Sequence, residues 1–321
     1  MDRNRADFPM PSDFEPRGGP AARARRAGRE GPAAAPGSWF RTVAENRTVV
    51  RETAVRVPRV SLILPAFNEA EGLAVILPRL PRMIDDVIVV NGPSIDRTIA
   101  VARELRPDAV VVQQLGRGKG NAIKHGLAVA DGDIIVTMDA DGSMNPEDIP
   151  AFVHALHDGA DFVKGSRALP GGGSADFTWL RRVGNDALTR LANVVFGAAY
   201  TDITYGFNAY WASTIRHLGR LADGFEFEIQ AAVRAVVVGM RTTEVPAHEP
   251  ARIGGVSKLN PFVDGAAILR ILAAEASPRR AAQLGAAYEA EEERLRQLLR
   301  ARLLDESAAG GLATPRLLET A

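Results

Sequence analysis

From Val60 onward the chain alternates short, continuous apolar runs with segments of helical spacing. "VSLILPAF" (60–67) ends in an asparagine and is followed by a helical pattern over 69–80. "DVIVV" (86–90) precedes a helix over 96–106, and "AVVVQQ" (109–114) precedes one over 119–130. "DIIVTMDAD" (133–141) precedes a helix over 146–158, and "ADFVKGSR" (160–167) reads as a fifth strand. Strands that are apolar at nearly every position are buried on both faces. Their alternation with helices therefore predicts an α/β domain with a mainly parallel central sheet covered by helices on both sides. In such sheets ligands bind beyond the carboxyl ends of the strands. Those ends are Pro65–Glu69, Asn91–Asp96, Asp139–Ser143 and Gly165–Arg167.

Past Arg167 the regularity weakens. A glycine-rich loop leads to a helix over 180–197, then "YTDITYGFNAYW" (200–211) and a helix near 225–239. A strand, "RTTEVP" (241–246), a loop, "EPARIGGVSK" (249–258), an amphipathic helix over 261–276 and a charged one over 278–304 complete the pattern. These features predict three parts: a disordered or extended segment over 1–58, one domain over 59–276, and a charged helix with a flexible tail over 277–321. The leading segment is rich in Gly, Pro, Ala and Arg and has almost nothing to bury. Its arginines at 23, 25, 26 and 29 read as a solvated tail, with contact to an anionic membrane as the alternative. The helix over 261–276 carries the same pair of readings: covering its own sheet, or lying on a membrane.

Composition narrows the chemistry. The chain has 321 residues and 46% hydrophobic content, with 39 basic against 39 acidic residues. A net charge of zero supplies no global field toward nucleic acid, so no nucleic-acid partner is expected. With no cysteine, disulfides, thiolate metal sites and a cysteine nucleophile are excluded. The absence of a long apolar run predicts no membrane-spanning helix. The polar N-terminus does not read as a secretory signal. The expected compartment is the cytoplasm, with peripheral attachment to the inner face of the membrane as the alternative.

Among local motifs, "MDADGS" (138–143) carries the strongest signal. Two carboxylates, Asp139 and Asp141, stand at the end of an apolar strand, where they are costly unless a cation compensates them. Two residues apart on a strand, they point the same way and can share one ion. Hard oxygen ligands suit Mg²⁺ or Mn²⁺, which bridge to a diphosphate. "GRGKGNAIKHG" (116–126) fits neither common glycine-rich nucleotide motif. It reads as a strand-to-helix turn, with a phosphate-contacting helix N-terminus as the alternative. The five histidines show no metal-ligand spacing. "VVNGPSIDRT" (89–98) ends a strand in Asn-Gly, yet the next apolar strand is too distant for a two-residue hairpin. Asn91 is therefore expected to face the cleft, with Asp96 and Thr98 starting the next helix.

Taken together, "LPAFNEAEGL", "VNGPSIDRT", "MDADGS…P", "VKGSR", "DITYGFNAYW", "GFEFE" and "ARIGGVSKL" resemble, in order and spacing, the family 2 glycosyltransferases of GT-A fold. Among these the chain is similar to the dolichyl- and polyprenyl-phosphate mannosyltransferase-like branch, over about Val60 to Ala273. The resemblance implies inverting, metal-dependent transfer of a sugar from a nucleoside-diphosphate sugar, GDP-mannose or a UDP-hexose. The implied acceptor is a lipid phosphate, with a hydroxyl-bearing small molecule or surface glycan as the alternative. A nucleotide-sugar-binding protein without turnover is a further alternative, and oligomeric state stays open. By similarity, Pro65, Phe67, Glu69, Val89, Asn91 and Ala140 surround the donor nucleotide. Asp139 and Asp141, with Ser143 as a third ligand, hold the metal. Arg167, Arg252 and Lys258, with Arg182 less securely aligned, match the basic residues that hold phosphates. Glu228 is a candidate catalytic carboxylate, and Glu226 and Asp202 are further candidate bases for a hydroxyl acceptor. The family pattern has Asp where this chain has Asn91.

Overall fold

The computed structural model describes residues 57–175, 177–253 and 261–276, together with positions 294 and 297. The expected leading segment, the charged helix over 278–304 and Lys258 lie outside the described residues. In chain order the larger elements are β1 (Val60–Ala66), α1 (Ala70–Ile76), β2 (Asp86–Asn91), α2 (Thr98–Leu105), β3 (Val110–Gln113), α3 (Lys119–Val129), β4 (Ile134–Thr137), α4 (Ile149–His157) and β5 (Phe162–Ser166). They are followed by β6 (Gly173–Ser174), α5 (Trp179–Phe196), β7 (Asn208–Trp211), α6 (Ala212–Ile215), α7 (Glu226–Val237), β8 (Thr242–Pro246), β9 (His248–Glu249) and α8 (Pro261–Glu275).

Seven strands form one sheet in the order β3-β2-β1-β4-β7-β5-β8. All neighbours are parallel except β7, which runs antiparallel to both β4 and β5. The mainly parallel α/β reading is therefore correct, with one inserted antiparallel strand. Strand side chains alternate between two cores. Ile63, Ile88 and Val90 pack with α3, α7 and α8 on one face. Leu62, Leu64, Val87 and Val89 pack with α1 and α4 on the other.

Two expected boundaries shift. The helix expected over 69–80 ends at Ile76 and tightens into a 3-10 turn at Leu77–Arg79, which carries Pro78. The strand expected over 133–141 ends at Thr137. Asp139 and Asp141 therefore lie on the loop that follows it, and Gly142 turns that loop with φ 79°. The alternation rule for strands does not apply to them.

That loop is held against α1 by an unusually close approach. A Cβ built on Gly72 would sit 2.1 Å from the carbonyl oxygen of Ala140 and 2.7 Å from Cα of Asp141. Only a glycine lets the helix touch this backbone. Gly72→Ala is expected to cost about 2–3 kcal/mol in denaturant unfolding, as overpacking does, and to weaken donor binding by moving Asp141. Gly184→Ala on α5, where a Cβ meets nothing within 4 Å, is expected to stabilise by about 0.5–1 kcal/mol.

Candidate active site

The carboxyl ends of β1, β2 and β4 converge as the alternation predicts, and two turns are tied together there. Asn68, with φ 54°, accepts a hydrogen bond on its side-chain oxygen from Ile95 N at 2.9 Å, while its own N donates to Ser94 Oγ. Glu69 N donates to Thr98 Oγ1 at 2.9 Å, and Ala70 N donates to Asp96 Oδ2 at 3.1 Å. Asp96 also accepts from Thr98 N. The "PSIDRT" stretch thus starts its helix and, in addition, fastens the β2–α2 turn onto the β1–α1 turn. Glu69 is 9% exposed and Phe67 40% exposed. Pro65 is half-buried beside them.

Asn91 is buried at the end of β2. Its Nδ2 donates to Gln113 Oε1 at 3.0 Å, and Gln113 Nε2 in turn donates to the Gly92 carbonyl. Its side-chain oxygen is buried with no hydrogen-bond partner among the described residues. Val89 is fully buried in the sheet core. Its side chain does not line the strand ends. Ala140 is likewise buried, between the two aspartates.

The electrostatic centre is a pair of cation clamps. Lys119, the first residue of α3, places its ammonium against Asp139 Oδ1 and 2.6 Å from Glu228 Oε1. Arg252 Nη2 reaches Asp141 Oδ2 at 2.8 Å. The same loop donates Ile253 N to the Asp141 carbonyl at 3.1 Å. Asp141 Oδ1 accepts from Ser143 N at 2.9 Å, which closes the turn. Burial, together with the like charges of Asp141 and Glu228, pushes the Asp139 carboxyl up to about 6 against the opposing pull of Lys119. Burial alone would lower Lys119, but the carboxylates of Asp139 and Glu228 outweigh it and hold the ammonium above its ordinary value.

The chemistry of this set fits a divalent cation. Two desolvated carboxylates and a serine offer hard oxygens, and each carboxylate already has a cationic side chain compensating its charge. Among the described residues no group of three or more His, Asp or Glu is placed to hold a metal ion, so Asp139, Asp141 and Ser143 would supply only part of the ligands such an ion needs. The sequence does not single out Lys119, because "GRGKG" matches no phosphate motif and the lysine's carboxylate partners lie 20 and 109 residues onward. A lysine opening the helix after β3, with two carboxylates following β4, the next strand in the chain, is the signal the sequence offers.

Arg167 is used differently from what its alignment suggests. Its guanidinium donates to both oxygens of Asp202, at 2.7 and 3.0 Å, to Glu249 Oε2 at 3.0 Å and to Thr204 Oγ1 at 3.0 Å. Phe177 and Tyr205 stack on it. The pair is 8% and 1% exposed on its side chains. Burial would raise the Asp202 carboxyl, but the bonds and charge of Arg167 reverse this and hold it below its ordinary value. Arg182 is exposed on α5, away from this network.

With this geometry in view, the comparisons with known proteins agree. The glycosyl transferase family 2 model matches residues 61–219. A dolichyl-phosphate hexose transferase of Haloferax volcanii is 31% identical, over 65% of this chain and 90% of that protein. An undecaprenyl-phosphate mannosyltransferase of Micrococcus luteus is 34% identical, over 66% and 92%. A polyprenol monophosphomannose synthase of Mycolicibacterium smegmatis is 32% identical, over 70% and 88%. The chain belongs to glycosyltransferase family 2 and is a glycosyltransferase. Its fold is GT-A. Glucosyl-3-phosphoglycerate synthase from Mycobacterium tuberculosis, solved with Mn²⁺, UDP and phosphoglyceric acid, superimposes with a TM-score of 0.55 at 20% identity, over 68% of this chain and 79% of that one.

Two outcomes follow from these contacts. Asn91→Asp replaces the donor to Gln113 Oε1 by a carboxylate at a buried position, so it is expected to lower the melting temperature. It is also expected to change nucleoside-diphosphate affinity several-fold, because bonds to charged groups are worth about 1 kcal/mol more than neutral ones. Calorimetric titration with GDP and UDP checks this; unchanged binding of both would make Asn91 a strand-end residue only. Asp202→Asn is expected to cost about 3–5 kcal/mol at neutral pH, the range for breaking a buried pair. Because the folded-state value of Asp202 is depressed, its contribution is present above the ordinary carboxylate value and is lost as the pH falls through the folded one. The stability gap between wild type and variant in urea should therefore narrow under acid conditions.

Proposed function

We propose that this chain transfers a hexose, with inversion, from GDP-mannose or a UDP-hexose to a polyprenyl-phosphate acceptor. The observation that carries this reading is the Lys119–Glu228 ion pair at 2.6 Å. A hydroxyl acceptor needs a carboxylate free to take its proton. Of the three candidate bases, Glu228 is ion-paired to Lys119 and Asp202 to Arg167. This leaves Glu226, half-buried in the first turn of α7, as the carboxylate a hydroxyl acceptor would have to use. A phosphate oxygen is already anionic and needs no base. The three relatives above, by their names, all act with polyprenyl-type lipids.

In this reading Phe67 and Glu69 receive the base and ribose, and Asn91 offers its unpartnered oxygen to a donor on the nucleotide. Asp139 and Asp141, supported by Ser143, hold Mg²⁺ or Mn²⁺. That ion, when bound, neutralises the diphosphate leaving group. Arg252 and Lys258 supply cations to the diphosphate and the acceptor phosphate. Lys119 holds Glu228 and Asp139 in place through its two ion pairs, while Arg167 fixes the acceptor side of the cleft. The acceptor oxygen then forms the new bond to the anomeric carbon as the bond to the diphosphate breaks.

The direct test is transfer of labelled sugar from GDP-mannose and UDP-glucose to polyprenyl phosphate; a lipid-linked product is expected with one donor, and none with either would overturn the reading. Glu228→Gln is expected to keep this transfer within about tenfold. A general base would instead cost about 10²–10⁴-fold when removed, and such a loss would favour the hydroxyl acceptor.

A further inference from the structure

Helix α5 carries apolar side chains on two opposite sides. The side it turns to the body of the protein packs Leu188, Ala192 and Phe196 on the core, together with two buried polar residues, Asn185 and Thr189, each 4% exposed. Asn185 Oδ1 accepts from Thr204 N and Oγ1, and Thr189 Oγ1 accepts from Ile203 N. These bonds and the core contacts of Leu188, Ala192 and Phe196 fix the roll of the helix, so its second apolar side faces outward. Leu180 (53% exposed), Val183 (56%), Leu191 (39%), Val194 (84%) and Val195 (44%) are left facing outward. At 3.6 residues per turn, they and Ala187 share one continuous arc of about 120°. Trp179, 76% exposed, stands at the start of the helix.

We propose that this outward face of α5 docks onto the surface of a lipid bilayer containing anionic lipid. The proposal rests on the lipid-phosphate reading above, since such an acceptor is presented at a membrane surface. The helix contains three arginines against a single acidic residue, Asp186. The exposed Arg190 borders the arc beside Trp179, with Asp186 and then the exposed Arg182 farther round the same side. An apolar face with a bordering tryptophan and arginines matches the layer where acyl chains meet headgroups. No helix among the described residues is long and apolar enough to cross a membrane, so α5 lies in the plane of the surface. Its 18 residues give it a length of about 27 Å. The face is also continuous with the candidate site. The Thr204 hydroxyl that donates to Asn185 accepts from Arg167, so α5 is two hydrogen bonds from the end of β5. Docking this face holds that end of the cleft beside the headgroups.

Flotation of the full chain with phosphatidylcholine vesicles and with mixed phosphatidylcholine–phosphatidylglycerol vesicles tests the surface independently of turnover. Wild type is expected to float with the mixed vesicles, and its Trp179 emission to be quenched by brominated lipid, with Trp179→Phe assigning the signal. The Val183→Asp/Val194→Asp double variant, altered only at exposed positions, is expected to melt like wild type and partition at least about tenfold more weakly. It should use a water-soluble, short-chain prenyl phosphate as wild type does, and lose transfer to the same headgroup carried in vesicles. Equal flotation of variant and wild type would overturn the proposal. So would a lipid-free dimer that the double variant converts to monomer, since the face would then belong to a second copy. Failure of wild type to use even the soluble acceptor would instead count against the lipid-phosphate function, and flotation would still decide the surface.

Discussion

Two carboxylates on the loop that ends an apolar strand, Asp141 buried and Asp139 half-buried, must be neutralised, and much of the site follows from how this chain does it. Asp139 and Asp141 stand where water is scarce, and an uncompensated charge there would cost several kcal/mol. Lys119 and Arg252 compensate one each. They come from elements far apart in sequence, so satisfying the pair draws the start of α3 and the loop after β9 onto the β4 end. Glu228, at the start of α7, joins through the same lysine. A cleft already carrying two cations beside two carboxylates is arranged for a ligand with both charges: a metal ion and a diphosphate.

The surrounding backbone serves this constraint. Gly72 lets α1 press on Ala140 and Asp141. Gly206 does the same on the other side, where a Cβ would sit 2.5 Å from the Lys119 ammonium and 2.6 Å from Glu228 Oε1. Beneath them, the fully buried Lys164 donates to the Tyr205 carbonyl at 2.5 Å and to Asn208 at 3.3 Å. Burial pushes its ammonium below the ordinary value. These contacts leave little freedom in the segment that shapes the floor of the site.

The fold was largely legible because its strands are buried on both faces and read as unbroken apolar runs. The antiparallel insertion of β7 was not, since a four-residue strand carries no mark of its direction. The Asp139–Asp141 pair was legible from residue type and place, although the loop beyond Thr137, rather than a strand, orients it. Asp96 and Thr98 were read as helix-starting residues; their second task, tying two turns together, depends on partners 26 and 29 residues away. Arg167 was recognised as a cation at a strand end. Its partners lie 35 and 82 residues onward, and only the folded chain shows that most of its donors are committed to them. Lys119 was not legible, because its role depends on the charges it meets across the fold, Asp139 and Glu228, and not on the loop that carries it.

The central claim is that the clamped carboxylates receive a metal-bound nucleoside diphosphate. It is tested most directly by thermal shift of wild type and Asp141→Asn against GDP and UDP, each with and without Mn²⁺. A ligand that binds only the native state raises stability by RT ln(1 + [L]/Kd). The expected result is stabilisation by one nucleotide that requires Mn²⁺ and is lost in Asp141→Asn. Stabilisation that is equal in the variant, or indifferent to Mn²⁺, would contradict it.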